Sequence, residues 1–344
     1  MKRLPKIAVT GLFQTGKSLI TNAILGGSCL PVGLFGLRTT PCVIECSYGS
    51  LDRVEIREQD GSVTVCGLRQ MAAIQGSAPS QSRPKSIQAH LNRPILLEMG
   101  LLDTPGFDFD DCDDRAAQDA LASADAAVLV VTQQLPAAIP AFERMVEALR
   151  RRPWAMVLNC GKSGPHLEDP NASASREVED FCLGQLAQSG AGSPVFSQRL
   201  DGRALLSFAR GEDSSPVRFP GSDEECPEIR VTEDSLDNLR DNLKKLGEVG
   251  ICQLLEASEA KFRKIAVQNG ATLEAISWKV EASRFSACIQ SDSKQVRVSG
   301  SFELRQSGAK TNLILQKIKS TERWITDWLA EEIENKPWPI KPLK

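Results

Sequence analysis

No stretch of the 344 residues approaches the ~20 consecutive apolar positions that span a bilayer, so the sequence offers no transmembrane helix. Tyrosine occurs once and histidine twice. His90 and His166 both fall in loop-like sequence without partners and carry no expected chemistry. The 10 cysteines include no C-x-x-C pair; the nearest two, Cys42 and Cys46, lack a second pair to complete a zinc site. Reduced, mostly buried thiols are the expectation. Neither sign of charge dominates: 41 Lys and Arg oppose 44 Asp and Glu, for a net charge of −3 and a pI near 5.7. That balance argues against a general nucleic-acid binder. The opening "MKRLPKIAVTG" enters β-forming sequence at once and leaves no room for a signal peptide, so a cytoplasmic protein is expected.

Against these absences stands one complete motif. Residues 11–18, "GLFQTGKS", satisfy G-x-x-x-x-G-K-[ST] at Gly11, Gly16, Lys17 and Ser18. The left flank "KIAVT" is rich in β-formers, and the right flank "SLITNAILGG" has helical apolar spacing and ends in two glycines. A strand, a loop and a helix start in that order make a phosphate cradle, because loop amides and the helix dipole converge on one anion. The whole run Gly11, Leu12, Phe13, Gln14, Thr15, Gly16, Lys17, Ser18 and Leu19 is therefore the candidate nucleotide-binding loop. Lys17 would reach the β- and γ-phosphates, and the Ser18 hydroxyl would ligate Mg²⁺.

To about residue 200, strand signals such as "AAVLVV" and "WAMVLN" alternate with helical stretches such as "IPAFERMVEALRR". Alternation of that kind predicts an α/β fold with a mostly parallel sheet covered on both faces and ligands at the strands' carboxyl ends. Residues 51–92 read as an insertion, with a hairpin around "EQDGSVTV" and then a Ser/Pro/Gln-rich loop; 207–233 have linker composition. Beyond the linker, Ile251, Leu254, Leu255, Phe262, Ile265, Leu273, Ile276 and Val280 recur at three- and four-residue steps, as do Ile314, Ile318, Ile325, Leu329 and Ile333. Two amphipathic helices are expected, the first interrupted near Gly270, with a small hairpin or loop at "QVRVSGSFEL" between them. The domains so predicted are 1–233, a helical part over 234–336 and a tail over 337–344.

A second motif, "DTPG" (Asp103 to Gly106), follows an apolar strand within 94–102. Asp103 is placed to hold a Mg²⁺ shell and Gly106 to offer its N–H to a γ-phosphate. Together "GLFQTGKSLITNAILGGSCLPVG…TTPCVIECSYG", "PILLEMGLLDTPGFD" and "ADAAVLVV" resemble the GTPase domains of bacterial dynamin-like proteins, in order and over roughly residues 5–200. The resemblance implies a P-loop NTPase domain of the Ras/dynamin type, followed here by a small helical hairpin or bundle. It implies GTP and GDP as ligands, with Mg²⁺ held by Ser18, Thr40 and Asp103. Thr40 would be the switch threonine, with Thr39 the runner-up. Lys17, Thr40 and Gln14 would serve hydrolysis, and two such domains would dock face to face as a homodimer that completes each site.

The sequence also departs from that family. Where the family carries N-K-x-D, this chain reads "LNCGKSG": Asn159 matches, Cys160 replaces the lysine and Lys162 stands in place of the aspartate that grips guanine. Ser197 and Gln198, in "VFSQR", resemble the start of the family's last base-contacting loop. Phe13 and Gln14 occupy positions where eukaryotic dynamins place a Gln and a Ser, and Phe107 follows Gly106 where no glutamine is offered. Slow intrinsic turnover follows from the shortage of donors aimed at the transferring group. The acidic run "DFDDCDDR" (108–115) reads as a solvated segment at a helix start, and "LRRRP" (149–153) as a helix end with dipole-compensating cations.

The resemblance therefore predicts a small dynamin-like GTPase acting as a nucleotide-gated switch, with a heterologous protein partner at the helical part and peripheral membrane contact at most. The tip charges Lys294, Arg297, Arg305 and Lys310 against Asp292 and Glu303 are too few for strong lipid binding. Two alternatives are a nucleotide-binding interaction module that does not hydrolyse, and a ribosome-assembly GTPase of the Era/Der kind.

Overall fold

The computed structural model describes residues 4–32, 40, 42–68, 71, 83–107, 110–132, 140–160, 173–200, 233–268, 270–279, 284–291, 294–307, 310–320 and 338–339. The strands of the N-terminal part are β1 (Lys6–Thr10), β2 (Ile44–Tyr48), β3 (Arg53–Arg57), β4 (Val63–Cys66), β5 (Ser86–Leu91), β6 (Gly100–Asp103), β7 (Ala126–Val131), β8 (Trp154–Asn159) and β9 (Ser197–Leu200). Its helices are α1 (Lys17–Leu25), α2 (Asp111–Ser123), α3 (Pro140–Leu149) and α4 (Ser173–Gln188).

These strands form one nine-stranded sheet in the order β4-β3-β5-β2-β6-β1-β7-β8-β9. From β6 through β9 every pairing is parallel. Every residue of β7 and β8 is buried, as expected for strands covered on both faces. The period of two divides the core: Ile7 and Val9 face α1 residues such as Ile20 and Ile24. Ala8 and Leu129 face a second layer that includes Phe142, Met145 and Leu186. The α/β reading and the mostly parallel sheet are borne out.

The expected insertion is part of this sheet. The hairpin around "EQDGSVTV" is β3–β4, turning at Gly61 with φ of +89°, a left-handed position that suits glycine. It extends the main sheet, because β3 pairs with β5 and β5 with β2, which runs antiparallel to β6. The apolar stretch 94–102 divides: Pro94–Leu97 form a 3-10 turn with Pro94 at its start, and only Gly100–Asp103 are strand.

The chain divides into two compact units, with the boundary between Val249 and Gly250. Helix α5 (Glu233–Gln268) spans that boundary. In the first unit Leu236, Leu239, Leu243 and Leu246 of α5 are buried in the core shared by α1. Arg240 donates from Nε to Ile24 O at 3.1 Å and from Nη2 to Ala23 O at 3.3 Å, placing a cation on the carbonyl end of α1. Residues 234–249 thus belong to the α/β unit.

The second unit corrects the helical expectation for 234–336. Among its described residues only the start is helical; then follow β10 (Ala271–Lys279), β11 (Arg284–Ser291), β12 (Lys294–Ser307), β13 (Lys310–Ser320) and β14 (Trp338–Pro339). They make an antiparallel sheet in sequential order. Gly270, with φ of +71°, ends the helix, and the period changes at once: Ala271 and Leu273 are buried while Thr272 and Glu274 are exposed. Leu273 and Ile276 therefore lie on a strand, and so do Ile314 and Ile318. Val280, Ile325, Leu329 and Ile333 lie outside the described residues. The Ser299–Gly300 dipeptide is no turn: β12 runs straight through it, with a shift in its register to β13 at that point. Phe285, Ala287, Ile289, Val296 and Val298 pack with Ile251, Leu255 and Phe262 of the helix to form this unit's core.

The thiol reading holds among the described cysteines: none is in a disulfide and five are buried. Burial pushes the Cys46 thiol well up and that of Cys182 to about 11, so both stay protonated and unreactive.

Candidate functional site

The loop after β1 passes so close to β7 that a Cβ on Gly11 would lie 2.4 Å from Val130 O; only glycine fits there. The chain then turns through Gln14, the sole non-glycine residue with positive φ (+63°) among those described, and through Gly16 (φ +92°), the N-cap of α1. Gln14 is exposed at the tip of the loop and Phe13 half-buried. Lys17 and Ser18 are buried. Lys17 Nζ donates to Leu12 O at 2.8 Å, folding the ammonium back over the loop. Thr15 Oγ1 donates to the same carbonyl at 3.1 Å. Asn159, at the end of β8, donates from Nδ2 to Thr15 O at 2.9 Å and so braces the loop from the sheet.

Asp103 ends β6 one strand away. Its carboxylate accepts from Ser18 Oγ at 2.7 Å and from Thr21 Oγ1 at 3.0 Å, while Thr40 Oγ1 lies 3.2 Å from Ser18 Oγ. All four side chains are buried. Burial raises the Asp103 carboxyl to about 6; the bond from Ser18, the Lys17 charge and the bonds from Thr21 and Thr40 pull the other way. Two hydroxyls and a carboxylate oxygen are hard donors of the kind Mg²⁺ takes, and a cation would supply the charge that this buried carboxylate lacks. Ser18, Thr40 and Asp103 thus fit the metal the sequence expects.

The segment after Asp103 lies along the loop as a further strand-like pairing. Thr104 N donates to Val9 O, Phe107 N to Gly11 O at 3.1 Å and Phe13 N to Phe107 O at 2.8 Å. Phe107 is fully buried. A Cβ on Gly106 would lie 2.6 Å from Phe13 Cα and 3.0 Å from Lys17 Nζ, which explains the glycine by close approach.

Of the sequence-derived residues, the structure brings together Gly11 to Leu19, Thr40, Asp103, Gly106 and Asn159 at the carboxyl end of the parallel strands. It does not bring Ser197 and Gln198 to that end. They lie inside β9, level with Met156 and Val157 of β8, whereas Asn159 is level with Leu200. Thr39 and Lys162 lie outside the described residues. Cys160 is buried in the core layer that holds Leu158 and Met156.

The acidic run is also corrected. Asp113 and Asp114 are 2% and 3% exposed, not solvated. Asp110 caps α2 by accepting from Asp113 N at 2.8 Å. Arg83 pairs with Asp110 and Asp113, and Arg144 with Asp114. At the end of α3, Arg152 Nε donates to Ala148 O of that helix at 3.3 Å, while Arg152 Nη1 reaches Ala124 O after α2 and Arg150 Nε reaches Gly190 O after α4. Thr21 and Arg83 were missed by sequence reasoning. Thr21 had a usable signal, since it sits one turn beyond Lys17 on α1; Arg83 had none.

Residues 7–156 match the model of the dynamin family. Dynamin-like protein 2 of Campylobacter jejuni subsp. jejuni serotype O:23/36 (strain 81-176) is 30% identical over 115 residues, covering 33% of this chain and 19% of that protein. Two solved chains of an oligomerised bacterial dynamin pair, described as a mechanism for long-range sensing and tethering of membranes, are 16% and 18% identical. The matches cover 78% of this chain and 40% of each of those, with TM-scores of 0.46 and 0.45. The chain thus spans well under half the length of these relatives. Residues 7–156 carry a dynamin-family domain, and the family resemblance is to the bacterial dynamin-like proteins.

Proposed function

We propose that this chain binds GTP with Mg²⁺ at the edge formed by residues 11–19, Thr40 and Asp103–Gly106, hydrolyses it slowly, and acts as a nucleotide-gated switch. The observation that carries this reading is the cluster of Ser18, Thr40 and Asp103, linked through hydrogen bonds to Ser18 Oγ at the N-terminus of α1, beside the Lys17 ammonium folded over the loop. In it, Lys17 exchanges the Leu12 carbonyl for β- and γ-phosphate oxygens, and loop amides take the remaining negative charge. Ser18, Thr40 and Asp103 would hold Mg²⁺, which when bound would supply positive charge beside the phosphates. Gly106 presents its N–H to the γ-phosphate, so the segment that lies on the loop reads the triphosphate.

Slow hydrolysis is supported by the lack of a water-orienting side chain after Gly106, because Phe107 is buried and tied to the loop through both its N–H and its carbonyl. Gln14, exposed at the loop tip, is the polar side chain left to help. A donor contributed by a second copy docking at this edge would complete the site. Guanine preference is weak in this reading, since Lys162 replaces the aspartate that would accept from the base. Among the described residues no helix is long and apolar enough to cross a membrane. Localisation is proposed as cytoplasmic, with peripheral membrane contact at most, and the C-terminal unit as the place for a heterologous partner.

A second reading, a nucleotide-binding module without hydrolysis, draws on the same absence of a base at Phe107. Phosphate release from GTP and from ATP, measured across a hundredfold range of protein concentration, separates the two. We expect slow release that favours GTP, with specific activity rising with concentration. Flat activity rejects completion by a second copy, and no release above background favours the module.

A further inference from the structure

Arg83 is the side chain that no role above uses, and its surroundings are specific. It precedes β5, whose Ile87 is level with Ile44 of β2, and Ile44 is level with Asp103 of β6. Arg83 therefore stands at the same sheet edge as the candidate nucleotide site. Its backbone is tied to the β3–β4 hairpin: Gln59 Nε2 donates to Arg83 O at 3.1 Å, and Lys85 N to Arg57 O at 2.7 Å. Its side chain, only 12% exposed, reaches Asp110 Oδ2 at 2.6 Å and Asp113 Oδ1 at 3.2 Å.

Asp110 is both the cap of α2 and the third residue beyond Phe107, whose backbone is bonded to the phosphate loop. A guanidinium fork held on two carboxylates, one of them buried, fixes position far better than an exposed pair. The contact thus fixes Asp110, three residues beyond Phe107, while β1 and the loop hold Thr104 and Phe107.

We propose that Arg83 is a positioning residue for the γ-phosphate-reading segment, through which the β3–β4 hairpin sets the preference for triphosphate over diphosphate. The proposal rests on the nucleotide site described above. A diphosphate meets the loop at residues 11–18 and gains nothing from Gly106. A triphosphate needs Gly106 in place, so loss of the Arg83 fork weakens it selectively.

The test uses the full chain with Mg²⁺, comparing affinities for fluorescent GDP and for a fluorescent non-hydrolysable GTP analogue. Arg83→Ala should weaken the GTP analogue by roughly tenfold, the worth of one charge-assisted contact, and GDP by less than about twofold. Arg83→Lys, which keeps the charge but not the fork, should recover part of the loss. Asp110→Ser keeps a helix cap while removing the main partner, and it should reproduce the Arg83→Ala pattern even where that variant folds poorly. Equal weakening of both nucleotides, or no change in their ratio in either variant, overturns the proposal. A wild-type chain that binds neither nucleotide overturns the site itself, and the proposal with it.

Discussion

The two units are built on opposite principles. At the proposed nucleotide edge of the first, several buried groups are polar: Lys17, Ser18, Thr40 and Asp103 are each under a tenth exposed. Glycines stand there because backbone or side chains occupy the space a Cβ needs. In the second unit the described buried groups are mostly apolar and aromatic, with Ser258 a polar exception. Phe285 lies 6.3 Å from Phe262 and 5.7 Å from Trp278, which meets Phe302 edge-on at 5.3 Å. Buried polar groups are costly unless satisfied; those of the first unit satisfy one another around Asp103, while the second unit is held by a packed apolar core.

The sharpest way to break that contrast is a cavity in the second unit. Phe285→Ala should destabilise it by about 3–5 kcal/mol, as large-to-small changes in a packed core do. Hydrogen exchange over β10–β12 measures the loss, and nucleotide affinity measured on the same sample should stay unchanged. A drop in affinity would tie the two units together energetically.

A smaller effect probes the polar side. Asp103 is raised from its ordinary value to about 6, so between roughly pH 4 and 6 the folded protein holds a proton that the unfolded chain has released. Its contribution is therefore most favourable below pH 4 and declines as pH rises to 6, by about 3 kcal/mol in all. Denaturant titrations of wild type and Asp103→Asn, in the absence of nucleotide and Mg²⁺, should diverge across that window. Parallel pH profiles would show that the carboxyl is not under the strain its burial implies.

The same contrast explains what was legible in the sequence. Gly11, Gly16, Lys17 and Ser18 could be read because each position in that loop tolerates one chemistry, and Asp103 and Gly106 followed by their place after a strand. In the second unit the only signal was period, and Ile314 and Ile318 fit a helix as readily as β13. Gly270 marked the change, yet a glycine alone does not say that a sheet follows. Arg83 and the burial of Asp113 and Asp114 depend on pairing across 27 and 30 residues, which no local pattern encodes. Ser197 and Gln198 looked like loop residues because a short Ser-Gln-Arg run carries no strand periodicity, yet they pair with Met156 and Val157 of β8.

The central claim is that the cradle at Gly11–Ser18 holds a triphosphate. Calorimetry of wild type and Lys17→Ala with a non-hydrolysable GTP analogue and Mg²⁺ tests it most directly. The account predicts binding to wild type and a loss of about a hundredfold or more in the variant, the worth of two charged phosphate contacts. Equal affinity in the two proteins would contradict it.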